Sequence, residues 1–136
     1  MKKRIFVIDD EFEILELTRM ILEKEGFQVM GASSGREALL KLQEISPDLI
    51  LLDINMPEMG GWELLRVLKA DEITASIPVI LFTIKSEVRD KIHGIQEGAF
   101  DYITKPFSYD ELVSRVKRIF ECLHYAGGGT ASAEIG

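Results

Sequence analysis

The chain has a single cysteine, Cys122, so no internal disulfide forms, and a lone thiol fits a reducing compartment. Positive charge is also short. Sixteen basic against 23 acidic residues leave a formal net charge of −7, which works against unaided binding to nucleic acid or an anionic membrane. Histidine is confined to His93 and His124. Neither has a partner at metal-ligand spacing, so both read as solvated helix residues. Long hydrophobic runs are missing as well. Met1-Lys2-Lys3-Arg4 passes straight into four apolar residues, too few for a signal-peptide core, and no stretch suffices to span a bilayer. A cytoplasmic location away from membranes is expected.

What is present is a set of short apolar runs ending in polar residues. Asp9 and Asp10 close Ile5-Phe6-Val7-Ile8, and Asp53 closes Leu49-Ile50-Leu51-Leu52. Uniformly apolar runs of this length are strands buried on both faces of a parallel sheet. The carboxyl ends of such strands form the binding crevice of an open α/β fold. If the two strands are neighbours, three carboxylates converge there, and they need a cation or a proton to coexist. A hard divalent ion with oxygen ligands, Mg²⁺, is the natural guest. Thr83 closes a third run, Val79-Ile80-Leu81-Phe82, and Lys105 follows a fourth segment, Phe100 to Thr104. A hydroxyl and an ammonium at the same edge suit phosphoryl oxygens, and phosphoryl transfer relies on such positioning and charge stabilisation. Asp53 is then the candidate nucleophile, forming an aspartyl-phosphate.

The elements alternate along the chain. Ile14, Leu17, Thr18 and Ile21 recur at helical spacing up to Gly26, and Phe27 to Ala32 reads as a strand. Ser34 with Glu37 forms a capping box before Ala38, Leu39, Leu42 and Ile45. Trp62, Leu65 and Leu68 mark a third helix, and Val88, Ile92 and Ile95 a fourth ending at Gly98. Asp101 to Thr104 forms the last strand. Ser108 then caps a helix carrying Leu112, Val113, Val116, Ile119, Phe120 and Leu123 on its apolar face. Five β-α units with right-handed crossovers predict a doubly wound α/β fold. Residues 1–125 form the expected domain. The Gly-rich segment 126–136 has no periodicity and reads as a flexible tail, either a linker or a cloning remnant.

The chain resembles the receiver domains of two-component response regulators. The likeness is carried by Val7-Ile8-Asp9-Asp10-Glu11, by Leu51-Leu52-Asp53-Ile54-Asn55-Met56-Pro57, and by Gly98 to Phe107 around Thr104-Lys105-Pro106. Asp10, Asp53, Thr83 and Lys105 follow one another at separations of 43, 30 and 22 residues. This resemblance implies a flavodoxin-like sheet of five parallel strands in order 2-1-3-4-5 with five helices. It implies Asp53 as phosphoacceptor and Asp10 as direct Mg²⁺ ligand, with Asp9 placing a metal-bound water and the Asn55 backbone carbonyl as a further ligand. Thr83 would contact the phosphoryl group, Lys105 would bridge it to Asp53, and Tyr102 would turn inward as the aromatic switch. The Lys105–Pro106 peptide is expected to be cis. The implied donor is a sensor histidine kinase or histidine phosphotransfer domain. The output partner, or an effector domain beyond this chain, is not readable, and no basic surface follows the last helix to bind nucleic acid. Such a domain catalyses only its own phosphorylation and dephosphorylation. Family members usually carry a small residue directly after the threonine. Here it is Ile84, followed by Lys85, and both would stand at the rim of the pocket.

Each residue also has an ordinary reading. Asp9-Asp10 suit a helix start, Lys105 a surface and Thr83 a strand; only their common register promotes them. Tyr102 as half-buried packing stands beside its role by resemblance. Trp62 reads as a helix-surface anchor near the site mouth, and Cys122 as a small packing residue. Glu11, Glu13 and Glu16 support the helix start through its dipole. Phe12, Leu15 and Leu22 lie off the expected core stripe, as core margin or as a docking face. Two other functions compete. An aspartyl-phosphate phosphohydrolase of haloacid-dehalogenase type places a second aspartate as acid/base where this chain has Asn55, which cannot transfer a proton. A flavodoxin-like mononucleotide binder needs free amides after the first strand, where Asp9-Asp10-Glu11 would repel phosphate.

Overall fold

The computed structural model describes residues 2–56, 58–84 and 88–133. Elements alternate as β1 (Arg4–Ile8), α1 (Phe12–Lys24), β2 (Gln28–Ala32), α2 (Gly35–Lys41), β3 (Leu49–Asp53), α3 (Gly61–Ala70), β4 (Val79–Ile84), α4 (Val88–Gln96), β5 (Asp101–Lys105) and α5 (Tyr109–Ala133). The five strands are all parallel, in the order β2-β1-β3-β4-β5. By contacts the chain forms two compact units, Met1–Pro106 with the whole sheet, and Phe107–Gly136 with α5. No helix among the described residues is long and apolar enough to cross a membrane.

The sheet forms because β1, β3 and β4 are apolar at successive positions and bury both faces. Ile5 to Ile8, Leu49 to Leu52 and Val79 to Phe82 are all buried. Period-two alternation then divides them. Phe6, Ile8, Ile50, Leu52, Val79 and Leu81 join Ala38 of α2 and Leu64, Leu65 and Leu68 of α3 in one core. Truncating a fully buried leucine such as Leu52 to alanine costs about 2–5 kcal/mol. The other face receives α1. Gly31 pairs with Val7, and a Cβ there would come within 3.0 Å of Leu15 Cδ1, so Leu15 would have to give way to any side chain at that position.

That contact corrects the expected stripe of α1. Leu15, Thr18, Ile21 and Leu22 are the buried residues, whereas Leu17 is an exposed apolar residue. Leu15 and Leu22 are core, and of the three residues left open only Phe12 is exposed. The helix carries apolar residues around most of its circumference, so its buried side is set by β2.

The capping box of α2 is present in a shifted form. Ser34 Oγ accepts the Glu37 N–H at 3.1 Å, while the Glu37 carboxylate reaches back one residue further, to the Ser33 N–H. That bond is the leading cause holding the Glu37 carboxyl below its usual value. The helix ends at Lys41, short of Ile45. Ser108 caps α5, its Oγ accepting the Glu111 N–H at 3.0 Å.

The tail also differs from expectation. The backbone of α5 continues to Ala133, so residues 126–133 extend the helix where the glycine content predicts a linker. No proline interrupts them, and extending a formed helix adds one hydrogen bond for each residue fixed. Cys122 is exposed, not packed.

Candidate functional site

The strand order places the site. β1 leads to β2 on one side and β3 lies on the other, so the crevice opens between β1 and β3, where such sheets bind their ligands. Ile8 pairs with Leu52; the next step brings Asp9 beside Asp53. Phe82 pairs with Asp53 on the other side, and Ile84 pairs with Lys105. Four strand ends thus bring Asp9, Asp10, Asp53, Thr83, Ile84 and Lys105 to one edge. Behind them Gly61 opens α3, where a Cβ would sit 2.3 Å from the Ile54 Cα. Only glycine lets α3 start so close under the β3 end.

Asp9, Asp10 and Asp53 each offer an oxygen within 4.8 Å of the others. Asp9 is fully buried and both its oxygens are engaged. Oδ1 accepts the Glu11 N–H at 2.9 Å and Oδ2 accepts Lys105 Nζ at 2.8 Å. Asp53 is 2% exposed; its Oδ1 accepts the Asn55 N–H at 2.9 Å and its Oδ2 lies 3.5 Å from Lys105 Nζ. Asp10 is exposed at the mouth. The Lys105 head also lies 5.6 Å from the Phe82 ring centroid, within reach of a cation–π contact. The Lys105–Pro106 peptide is cis.

Burial, and after it the crowding of charge, shifts the ionisation of the site residues. Burial raises the Asp53 carboxyl, and the Asp9 charge adds to it, against the Asn55 N–H and the Lys105 charge, which lower it. Asp10 is raised by desolvation and then by hydrogen bonding and charge from Asp53. Burial alone would depress Lys105, but its hydrogen bond to Asp9 and the charges of Asp53 and Asp9 carry it upward. Three carboxylates against one ammonium fit a hard divalent cation, because the donors are all oxygen and the charge is uncompensated.

Thr83 is fully buried, and its hydroxyl has no hydrogen-bond partner among the described residues. A buried hydroxyl in that state costs free energy unless something fills it. Strand alternation puts Thr83 on the face of Leu81, which pairs with Tyr102. Tyr102 is partly buried against the core on that same face. Ile84 falls on the opposite face, that of Asp53 and Lys105, and is 50% exposed. Lys85 lies outside the described residues.

Two aromatic residues of this region gain a definite setting. Trp62, read as a helix-surface anchor, is partly buried and packs against the core. His93 is not merely solvated: its ring meets Trp62 edge-on at 4.5 Å between centroids, and its Nε2 lies 3.6 Å from Glu97 Oε1. The site residue that sequence reading misses is Glu11. Read as a helix-dipole residue, it places Oε1 3.0 Å from Lys105 Nζ. Its adjacency to Asp10 was the available signal, but nothing local ties it to a lysine 94 positions away.

Comparison with known proteins agrees with this geometry. Residues 5–117 match the family described as the response regulator receiver domain. The phosphate regulon transcriptional regulatory protein PhoB of Pseudomonas aeruginosa is 44% identical over 133 residues, covering 98% of this chain and 57% of that protein. The chain thus spans little more than half the length of the curated relatives it matches. Among solved structures, the chemotaxis protein CheY4 of Vibrio cholerae superposes with a TM-score of 0.82 at 29% identity, over 87% of this chain and 98% of that one. The signal receiver domain of a Syntrophus aciditrophicus histidine kinase gives 0.80 at 41% identity, over 88% and 90%. The matched residues 5–117 include all the strand ends that build the site, and the chain belongs to the response regulator receiver domain family of two-component signalling.

Proposed function

We propose that Asp53 accepts a phosphoryl group from a phosphohistidine and that the resulting acyl phosphate switches the domain between two conformations. The observation that carries this reading is the placement of Asp53. It is a nearly buried carboxylate between two other carboxylates and an ammonium, at the sheet's switch point. A carboxylate oxygen of Asp53 attacks phosphorus, the P–N bond to the donor imidazole breaks, and the imidazole leaves with the bonding pair and takes up a proton. Asp9, Asp10, Asp53 and the Asn55 carbonyl would hold Mg²⁺, which supplies charge neutralisation for the phosphoryl oxygens. Lys105 holds one phosphoryl oxygen and positions it in the shielded crevice. Thr83 donates its unpartnered hydroxyl to another. Because Thr83 and Tyr102 share a face, a shift of the threonine gives the tyrosine room to turn. The switch requires only a differential contact worth a few kcal/mol.

The domain acts on itself and turns over no separate substrate. Its donor is a sensor kinase or histidine phosphotransfer domain in the cytoplasm. Its output passes to a partner or an attached effector domain; PhoB and MtrA are named as a transcriptional regulator and a DNA-binding response regulator. The net charge of −7 leaves nucleic acid to such an effector. Incubation with p-nitrophenyl phosphate and Mg²⁺ tests the reading: the expected result is no steady turnover, while acetyl phosphate labels the chain stoichiometrically. Sustained phosphatase turnover abolished by Asp53→Asn would establish the hydrolase instead.

A further inference from the structure

Glu11 stands at the N-cap of α1 yet makes no side-chain cap hydrogen bond. Its carboxylate crosses the crevice and accepts from Lys105 Nζ at 3.0 Å, although the side chain is 60% exposed. The ammonium thus faces three carboxylates, at 2.8 Å from Asp9, 3.0 Å from Glu11 and 3.5 Å from Asp53. The longest contact is to the residue whose phosphoryl group it would hold.

We propose that Glu11 is a positioning residue: it seats the Lys105 ammonium away from Asp53, and so restrains how readily Lys105 engages the incoming phosphoryl group. This rests on the reading of Asp53 as acceptor. Asp9 and Glu11 are unequal seats. Asp9 is fully buried with both oxygens committed, so losing Lys105 would strand a buried charge. Glu11 reaches in from solvent and can return to water at little cost. Lys105, with three N–H donors, can therefore keep its bond to Asp9 while exchanging Glu11 for the Asp53 side. A phosphoryl group on Asp53 carries more negative charge than the carboxylate it replaces, and it outcompetes Glu11. Before phosphorylation, Glu11 holds the ammonium back.

The test is a double-mutant cycle on phosphoryl uptake from acetyl phosphate with Mg²⁺, in wild type, Glu11→Gln, Lys105→Ala and the double variant. Glu11→Gln keeps the side-chain length and removes the charge. It should speed uptake roughly two- to fivefold, the range open to a part-exposed ion pair, and that gain should vanish in the Lys105→Ala background. An equal gain in both backgrounds would mean simple repulsion between Glu11 and the anionic donor, and would overturn the proposal, as would no gain at all. A second readout needs neither phosphorylation nor a Lys105 variant. In metal-free protein the Lys105 ε-methylene NMR resonances should move on Glu11→Gln and return part of the way with Glu11→Asp. Unmoved resonances would remove the seat. If wild type takes up no phosphoryl group at Asp53, the functional reading falls while this arm still decides the ion pair.

Discussion

Asp10 and Asp53 come from different strand ends and bring carboxylate oxygens within 4.8 Å of each other at the mouth of the β1–β3 crevice. One is exposed and the other nearly buried, and both carboxyls are pushed above their ordinary value of 3.8. The folded state therefore binds their protons more tightly than the unfolded chain. Their stabilising contribution is full below the ordinary value and is lost as pH climbs through the raised values. Without divalent ions, wild type should lose melting temperature relative to Asp53→Asn as pH rises from about 4 to 7, because the variant removes one of the crowded charges. Saturating Mg²⁺ should reverse that loss for wild type. A ligand at 100 times its Kd adds about 2.7 kcal/mol to a native state that alone binds it. Thermal melts in EDTA and in Mg²⁺ across this range check both statements; parallel curves for wild type and variant would contradict them.

Thr83 makes the opposite trade. Its buried hydroxyl has no partner among the described residues, so Thr83→Val, which keeps the shape and removes the polar atom, should stabilise the unphosphorylated domain by about 1 kcal/mol. The same change should weaken the conformational response to phosphorylation, because the donor proposed for the phosphoryl oxygen is gone. Denaturant titration reads the first effect. Trp62 fluorescence with and without acetyl phosphate reads the second.

Ile84 ends β4 on the face of Asp53 and Lys105, half exposed. If Asp53 carries the phosphoryl group, a branched side chain there would narrow the line along which water attacks it. Ile84→Ala should shorten the phosphoryl lifetime; a barrier lowered by about 1.4 kcal/mol corresponds to tenfold. The decay rate of the two phosphorylated proteins, with Mg²⁺ and no kinase, provides the comparison. Equal rates would make Ile84 rim packing only.

Much of this fold is legible in sequence because β1, β3 and β4 are apolar without interruption, and an uninterrupted short run implies a strand covered on both faces. Each run also ends on a residue with chemistry, so the site edge could be read before the strand order was known. Other features depend on contacts that no local pattern encodes. In α1, Leu15, Leu17 and Leu22 are equally apolar, and only the packing of the helix on the sheet, with Leu15 set against Gly31 of β2, shows which are covered. Glu11 is indistinguishable from Glu13 and Glu16 until Lys105 arrives from β5. His93 owes its setting to Trp62 on another helix. The helical continuation of residues 126–133 runs against their glycine content, since composition registers propensity and not the helix already formed before them.

The central claim is that Asp53 carries the phosphoryl group. Acetyl phosphate and Mg²⁺ followed by peptide mass spectrometry under acidic conditions test it most directly. One phosphoryl group should appear on the peptide containing Asp53 and disappear after mild base, and the Asp53→Asn protein should remain unlabelled. A label on any other residue, or undiminished labelling of Asp53→Asn, would contradict the account.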